Sequence, residues 1–276
     1  MIRTSIGAAL LAISAWSGAE PLKFYNGRLF IPATVNGVPT EALLDSGAEA
    51  TIIDPKLAVR AKLPEGTPQA IKGSGGTAQA RIVEGATIRA LGADLHPEVV
   101  VVLDLADLST RLIKRSTQAI VGRELFDATR LQIDIPGGKI AVVGKDAAPP
   151  GVRLPLTAHA GTESIPVKAD GIEAQAEFDL GNGSGVMISR ELATKLNLKV
   201  IGKRSGGGIG GRIQRDYVHL GTLEVAGRKF RNLTASIDDQ PSHNDMNVGT
   251  SILRNFLITT DFKERAVWLQ PGPAAR

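Results

Sequence analysis

Short runs of apolar residues alternate with turn-forming residues along most of the chain. Examples are "RLFIPATVNG", "ARIVEGATIRA", "PEVVVVLDL" and "KIAVVG", which are rich in Val, Ile and Thr and are bounded by Gly, Asn and Pro. β-Branched residues suit the pleated surface of a sheet, whereas Gly, Asn and Pro favour turns. The pattern therefore predicts a mainly β protein. One short helix per half is predicted at "DPKLAVRAKL" and "SRELATKLNL", where Asp54 and Ser189 can cap the first turn.

The chain contains two copies of one unit. Residues 31–47, "IPATVNGVPTEALLDSG", align without a gap on residues 165–181, "IPVKADGIEAQAEFDLG", and residues 120–143 align on residues 247–270 in the same way. Such a repeat indicates two similar structural units in tandem. The turn-rich segment "GKDAAPPGVR" separates them, because its two prolines cannot continue a central strand. We expect an N-terminal lobe at 20–147 and a C-terminal lobe at 148–276.

The first 19 residues have a different composition from the rest. Arg3 precedes an apolar run over residues 6–16, and the small residues Ser17, Gly18 and Ala19 follow it. This order is typical of a secretory signal peptide. The run is shorter than the roughly 20 apolar residues that a membrane helix needs. We therefore expect residues 1–19 to be removed and the mature chain, which has no predicted membrane span, to be periplasmic or secreted.

Composition narrows the classes of function. The chain has 276 residues, of which 43% are hydrophobic and 22% charged, so it can fold around ordinary cores. Its net charge is +4, and Lys and Arg are scattered along the sequence without a long basic block, so the sequence does not indicate nucleic-acid binding. There is no Cys and no Gly-x-Ser-x-Gly, and the four histidines lack metal-ligand spacing (His96, His159, His219 and His243). We expect neither a metal nor another cofactor.

Three segments in order resemble the retropepsin-like aspartic protease family. They are "LLDSGA", a glycine-rich hairpin, and "AIVGRELF"; the family pattern is apolar-apolar-Asp-Thr/Ser-Gly-Ala, a flap, and apolar-apolar-Gly-Arg. The second unit diverges: it keeps Asp179 and Gly181, but Leu180 stands where the family has Thr or Ser, and "MNVGTS" lacks the Arg. The resemblance implies two all-β, barrel-like lobes related by pseudo-twofold symmetry, each with one or two short helices.

The resemblance also implies a catalytic pair, Asp45 and Asp179. Two close carboxyls cannot both ionise, so they share a proton, and one can activate a water while the other acts as an acid. Gly47 and Gly181 would allow the tight turns that aim the carboxyls. Further support would come from Ser46 and Ala48, and the substrate-covering flaps would be formed by Gly73, Ser74, Gly75, Gly76, Gly207 and Gly208.

The favoured function is an exported aspartic endopeptidase that acts on peptides or unfolded proteins, with a monomer favoured over a homodimer. One alternative is a homodimer in which Asp45 of each chain pairs and the second lobe is a degenerate cover. Another is a peptide-binding protein that has lost turnover. The intact Asp45 and Ser46 favour catalysis, whereas Leu180 argues against a fully symmetrical pair. If the pair forms, we expect Leu180→Thr to raise activity.

Overall fold

A computed structural model describes residues 18–146, 148–159, 161–239 and 244–272. The predicted signal peptide, apart from its last two residues, and His243 lie outside these ranges. Within them, no helix is long and apolar enough to cross a membrane.

The first lobe is built from short strands with a few helical turns. Its elements are β1 (Glu20–Pro21), β2 (Lys23–Tyr25), β3 (Arg28–Val35), β4 (Val38–Leu44), β5 (Ile52–Ile53), α1 (Pro55–Arg60), β6 (Thr67–Gly73), β7 (Gly76–Glu84), β8 (Ile88–Ala90), β9 (Ala93–Leu95), β10 (Val99–Val102), α2 (Ala106–Leu108), a π-helical turn (Ser109–Ile113), β11 (Ala119–Val121), α3 (Arg123–Ala128), β12 (Leu131–Asp134) and β13 (Lys139–Val142).

The second lobe repeats this plan with longer hairpin strands. Its elements are β14 (Val152–Pro155), β15 (Thr157–His159), β16 (Thr162–Ala169), β17 (Ile172–Phe178), β18 (Val186–Ser189), α4 (Arg190–Lys195), β19 (Val200–Gly206), β20 (Ile213–Val225), β21 (Arg228–Asp238), β22 (Met246–Val248), α5 (Thr250–Leu253), β23 (Phe256–Asp261) and β24 (Ala266–Pro271). The expected lobe boundary falls between β13 and β14.

The two lobes share one pattern of strand pairing. In the first lobe β4 runs parallel to β11, β5 runs parallel to β10, and β5 is antiparallel to β11. In the second lobe β17, β22, β18 and β21 pair in the same way. The repeat in the sequence is thus a repeat in the fold, and the expectation of an all-β protein with two tandem lobes is confirmed.

A third sheet joins the lobes. Its strand order is β1-β13-β12-β23-β24-β14, and the central pair, β12 and β23, brings Ile133 of the first lobe opposite Ile258 of the second. Both side chains are fully buried. Because burying apolar surface is the main favourable term in folding, this sheet fixes the lobes against each other.

The two capped helices form where the sequence places them. The Asp54 side chain accepts a hydrogen bond from Lys56 N at 2.9 Å, and Ser189 caps α4 by accepting from Leu192 N at 3.1 Å. A side-chain oxygen at this position satisfies an N–H group that lacks a partner within the helix. The helical turns at 106–113 are additional, and Leu105, which precedes them, offers no side-chain cap.

Candidate active site

The two predicted aspartates occupy equivalent places in the fold. Asp45 follows β4 and Asp179 follows β17. Asp45 N donates to Val121 O at 3.0 Å, and Asp179 N donates to Val248 O at 3.2 Å. The neighbouring parallel strands, β11 and β22, therefore fix the first residue of each loop at the equivalent position in its lobe.

The two loops meet face to face. A Cβ atom built on Gly47 would lie 3.1 Å from Asp179 Cγ, and one built on Gly181 would overlap the Asp45 carboxyl group. Among the described residues, the glycines with positive φ do not include Gly47 or Gly181. Both glycines lie in turns, and the lack of a side chain at each of them allows the close approach between the loops.

Ser46 links the loops with two buried hydrogen bonds. Its Oγ donates to Phe178 O at 2.7 Å and accepts from Leu180 N at 2.9 Å. Leu180, at the equivalent position, is fully buried among apolar residues of the main core. These side-chain hydrogen bonds between the two loops therefore come from Ser46 of the first lobe, and the apolar Leu180 side chain cannot form the reciprocal pair.

The two carboxyls differ in their hydrogen bonds. Asp179 accepts from Gly181 N and Asn182 N, both at 2.9 Å, and from Asn247 Nδ2 at 2.7 Å. Asp45 accepts from Gly47 N at 2.9 Å. Donors to a carboxylate favour its ionised form, so this arrangement stabilises the negative charge on Asp179 more than on Asp45.

Both aspartates hold their protons more tightly than usual. Burial, followed by the charge of Asp179, raises the pKa of Asp45 to about 7, against the opposing effect of N–H groups of Gly47 and Ala48. Burial also raises the pKa of Asp179, which the hydrogen bond from Asn247 opposes. Two such groups titrate as a pair and retain one shared proton over a wide pH range. The larger number of donors to Asp179 favours the ionised form of that member of the pair.

A buried arginine faces the pair and was not identified from the sequence. Arg28, at the start of β3, is 7% exposed, and its Nη1 donates to Asn26 O at 3.0 Å and Leu112 O at 3.3 Å. Its positive charge lowers the pKa of both Asp45 and Asp179, although less than burial raises them. It offsets part of the cost of placing two carboxyls together.

Glu177 and Asn247 are further polar neighbours that sequence reasoning missed. Asn247 Nδ2 donates to Glu177 Oε2 at 3.1 Å, and burial, then the charge of Asp179, raises the pKa of Glu177 to about 8. The alignment of the repeats contains the signal, since Glu177 falls on Leu43 and Asn247 falls on Ile120. Within the described ranges, no group of three His, Cys, Asp or Glu is arranged to hold a metal ion.

The "GRELF" segment, residues 122–126, packs against the loop that carries Asp45 and forms hydrogen bonds with it. Ala48 O accepts from Arg123 N at 3.0 Å, and a Cβ on Gly122 would lie 2.7 Å from Ala48 O. Glu124 Oε1 accepts from Thr51 N at 2.7 Å. Ala48 thus links the Asp45 loop to this segment through its carbonyl group, and Glu124 is a second link that was not predicted.

Both glycine-rich segments are hairpin tips, and the tips touch. The β6–β7 tip spans residues 73–76 and the β19–β20 tip spans residues 207–212. Gly75 N donates to Ile209 O at 2.8 Å, and a side chain at Gly73 or Gly75 would collide with the opposite tip. The structure therefore brings together all the residues predicted as flaps, which are Gly73, Ser74, Gly75, Gly76, Gly207 and Gly208.

Two arginines hold these tips in place. Arg111, in the π-helical turn, donates to Gly207 O at 3.2 Å and to Gly208 O at 3.0 Å. Arg215 donates to Ser74 O at 2.8 Å and forms an ion pair with Asp238 at 2.7 Å. Each tip is thus tied to the opposite lobe.

Comparison with known families agrees with this geometry. Residues 31–125 and 165–253 match the family model for aspartyl protease, one match in each lobe. The matches cover more than half of the chain, and each contains one of the two aspartates. No protein with a curated description is significantly similar to the chain.

Proposed function

Because the chain belongs to the aspartyl protease family, we propose that it is an aspartic endopeptidase whose catalytic carboxyls, Asp45 and Asp179, come from the two lobes of one chain. The observation that carries the proposal is the reciprocal approach of the two loops. Gly47 lies against Asp179, and Gly181 lies against Asp45. A twofold relation between the lobes accounts for this reciprocity.

The proposed reaction uses the unequal state of the two carboxyls. Ionised Asp179 takes a proton from a water molecule as the water oxygen attacks the peptide carbonyl carbon, and protonated Asp45 gives its proton to the carbonyl oxygen. The tetrahedral product is neutral. It collapses as Asp45 takes back a proton from one hydroxyl and Asp179 gives its proton to the leaving nitrogen. The pair then again holds one proton.

The same contacts bear on the homodimer alternative. A pair made from Asp45 of two chains requires free space beside the Asp45 carboxyl. Gly181 of the same chain occupies that space. The geometry therefore supports a site formed within one chain, acting on a peptide or an unfolded protein.

Export is part of the proposal. The order of charge, apolar run and small residues in positions 1–19 supports it. The first strand begins at Glu20, where Glu20 pairs with Ile140 of β13. N-terminal sequencing of the mature protein should find Glu20 or a residue close to it, and recovery of Met1 on the functional protein would refute export.

The test of catalysis is cleavage of an unfolded protein by the mature chain. Asp45→Asn and Asp179→Asn should each remove nearly all activity, and the double variant should be no worse, because the two groups work as a unit. Asp94→Asn is the matched control, since Asp94 is exposed and forms an exposed ion pair with Arg89 at 3.2 Å.

Two results would contradict the proposed single-chain peptidase, and each would favour a different alternative. An active Asp179→Asn variant beside an inactive Asp45→Asn variant would indicate a site assembled from two chains. A parent protein that binds unfolded chains but cleaves none, over the whole acid to neutral range, would indicate a binding protein. Circular dichroism of each variant establishes that it is folded.

A further inference from the structure

A row of apolar side chains crosses the first-lobe sheet beside the Asp45 loop. Strand register places Phe30 opposite Leu43, Leu43 opposite Ile120, and Ile120 opposite Ile52. All four are buried, and they cluster with Leu105, which precedes α2, with Leu108 and Ile113 of the helical turns, with Ile71 of β6 and with Ile209 of the second hairpin tip. The surroundings of this row are therefore apolar side chains of the protein itself.

The equivalent row of the second lobe has the opposite character. Register places Ser164 opposite Glu177, Glu177 opposite Asn247, and Asn247 opposite Met187. Glu177 and Met187 are partly exposed, unlike their counterparts in the first lobe. The polar row is therefore the open one, and it lies directly beside the Asp179 loop.

Glu177 occupies the position in this row that faces the proposed reaction centre. Its Oε1 would lie 3.0 Å from a Cβ on Gly47, which places it at the junction of the two loops. Its Oε2 accepts from Asn247 Nδ2, and the same amide nitrogen donates to Asp179 Oδ2. Asn247 thus fixes the Glu177 carboxyl next to the carboxyl that would activate the water.

The charged groups that act most strongly on Glu177 are acidic. Asp179, Asp45 and Asp238 all act on it in the direction of a higher pKa. Arg215 is engaged with Asp238, and in the described part of the chain Glu177 is hydrogen-bonded only to the neutral amide of Asn247. A half-buried carboxyl beside three other acidic groups keeps its proton unless a positive group arrives.

We infer that Glu177 is a specificity-determining residue and that the second-lobe row beside the dyad accepts a basic side chain, Lys or Arg, of the substrate residue next to the scissile bond. The inference rests on the proposed peptidase function and deepens it. Arg28, the buried cation of the site, acts on Asp45 and Asp179, so a substrate ammonium or guanidinium supplies Glu177 with a cationic partner of its own. Its flexible apolar stem can lie along Met187, as long basic side chains do on apolar surface.

The experiment compares two peptide series that differ at one position flanking the bond. One series carries Lys and the other Met, which is similar in length and uncharged. The parent enzyme should cleave the Lys series with a kcat/KM at least about tenfold higher, and Glu177→Gln should reduce this Lys-to-Met ratio by at least about tenfold. The control Glu173→Gln, in the same strand but 86% exposed in its side chain, should leave the ratio unchanged.

The readout separates this inference from the proposed function. Cleavage of either series by the parent, lost in Asp45→Asn, reports peptidase activity. Only the Lys-to-Met ratio reports the role of Glu177. If Glu177→Gln lowers cleavage of both series equally, Glu177 positions the dyad and does not select substrates. A parent that cleaves the Met series as well as the Lys series overturns the inference and leaves the peptidase assignment intact.

A folding defect in the variant does not remove the test. The ratio is measured on the same enzyme preparation, so the amount of active protein cancels. As a second measurement, the Lys-to-Met ratio of the parent should rise as the pH increases from about 5 to about 8, because a cation binds the ionised form of Glu177. A ratio that is constant over this range contradicts the inference independently of any variant.

Discussion

The hydroxyl group of Ser46 accepts a hydrogen bond from the backbone N–H of Leu180, its counterpart in the other lobe, at 2.9 Å. It also donates to Phe178 O, so one side chain satisfies two backbone groups where the lobes meet. Leu180 contributes apolar packing in place of a reciprocal pair of bonds. The two lobes therefore support the site by different means.

Ser46→Ala should destabilise the protein and lower its activity. The change leaves a buried N–H and a buried C=O without this partner, which costs on the order of 1 to 3 kcal/mol per group. Urea denaturation followed by fluorescence measures the loss. Ser184→Ala, at an exposed position in the second loop, is the control and should unfold like the parent; equal midpoints for all three proteins would contradict the role of Ser46.

Leu180→Thr should reduce stability. Because Leu180 stands where the family has Thr or Ser, the sequence predicts that Thr at this position would raise activity. The Leu180 side chain, however, is fully buried in the core. Thr removes apolar contacts and brings a hydroxyl into apolar surroundings, with an expected cost of about 2 kcal/mol or more. Leu180→Met, which keeps the volume, should cost less than about 1.5 kcal/mol. Thermal unfolding of both variants checks the order.

Stability should decrease from acid to neutral pH. The pKa of Asp45 rises from 3.8 to about 7 on folding, and that of Glu177 rises from 4.5 to about 8. The folded state therefore binds more protons than the unfolded state, so this contribution is complete below pH 4 and is lost as the pH rises through about 7 to 8. Denaturation midpoints of the parent should fall over this range, and those of Glu177→Gln should fall less. Parallel curves would contradict the assignment of Glu177.

Glu163→Ala should weaken the contact between the lobes. Glu163, buried in β16, forms ion pairs with Arg123 of the first lobe and with Arg265. Because both arginines reach solvent, the expected loss is about 1 to 3 kcal/mol, less than for a fully buried pair. Glu173→Ala breaks an exposed pair with Lys168 and should change stability by less than about 0.5 kcal/mol. Chemical denaturation of the two variants makes the comparison, and equal losses would argue against a special role for Glu163.

Arg111→Ala should loosen the hairpin tips without unfolding the protein. The Arg111 guanidinium holds the carbonyl groups of Gly207 and Gly208, and Asp107 orients it. Hydrogen exchange of residues 206–211 should become faster in the variant, because local opening then costs less free energy. Arg89→Ala, which removes an exposed pair, is the control. Unchanged exchange at the tips would show that the tips hold each other without Arg111.

The sequence predicted those parts of the site that local chemistry determines. The Asp-Ser-Gly and Asp-Leu-Gly loops, the capped helices and the glycine-rich hairpin tips each depend on a few consecutive residues. Arg28 was missed because its proximity to Asp45 arises only when β3 pairs with β4. The 106–113 segment was missed for a different reason, since its turns begin without a capping side chain and are stabilised by packing against the first-lobe row.

Glu177 shows how much an internal repeat can reveal. The alignment contained the exchange of Leu43 for Glu177, but its meaning depends on strand register, which places Glu177 opposite Asn247. A polar residue at a position that alternation predicts to be apolar is unfavourable unless it has a partner or a function. Such positions are best found by comparing the two copies after the register is known.

The shared sheet also changes how the site assembles. Strand β12 of the first lobe pairs with β23 of the second along residues 131–134 and 257–260, and the segment between β13 and β14 tethers the two halves. If the site were made from two separate chains, this pairing would be an association step, and the two chains would dissociate on dilution. Within one chain the pairing is intramolecular, with an effective concentration set by a short tether. The pairing of the two lobes is therefore independent of protein concentration, and so is the distance that it sets between the two aspartate loops.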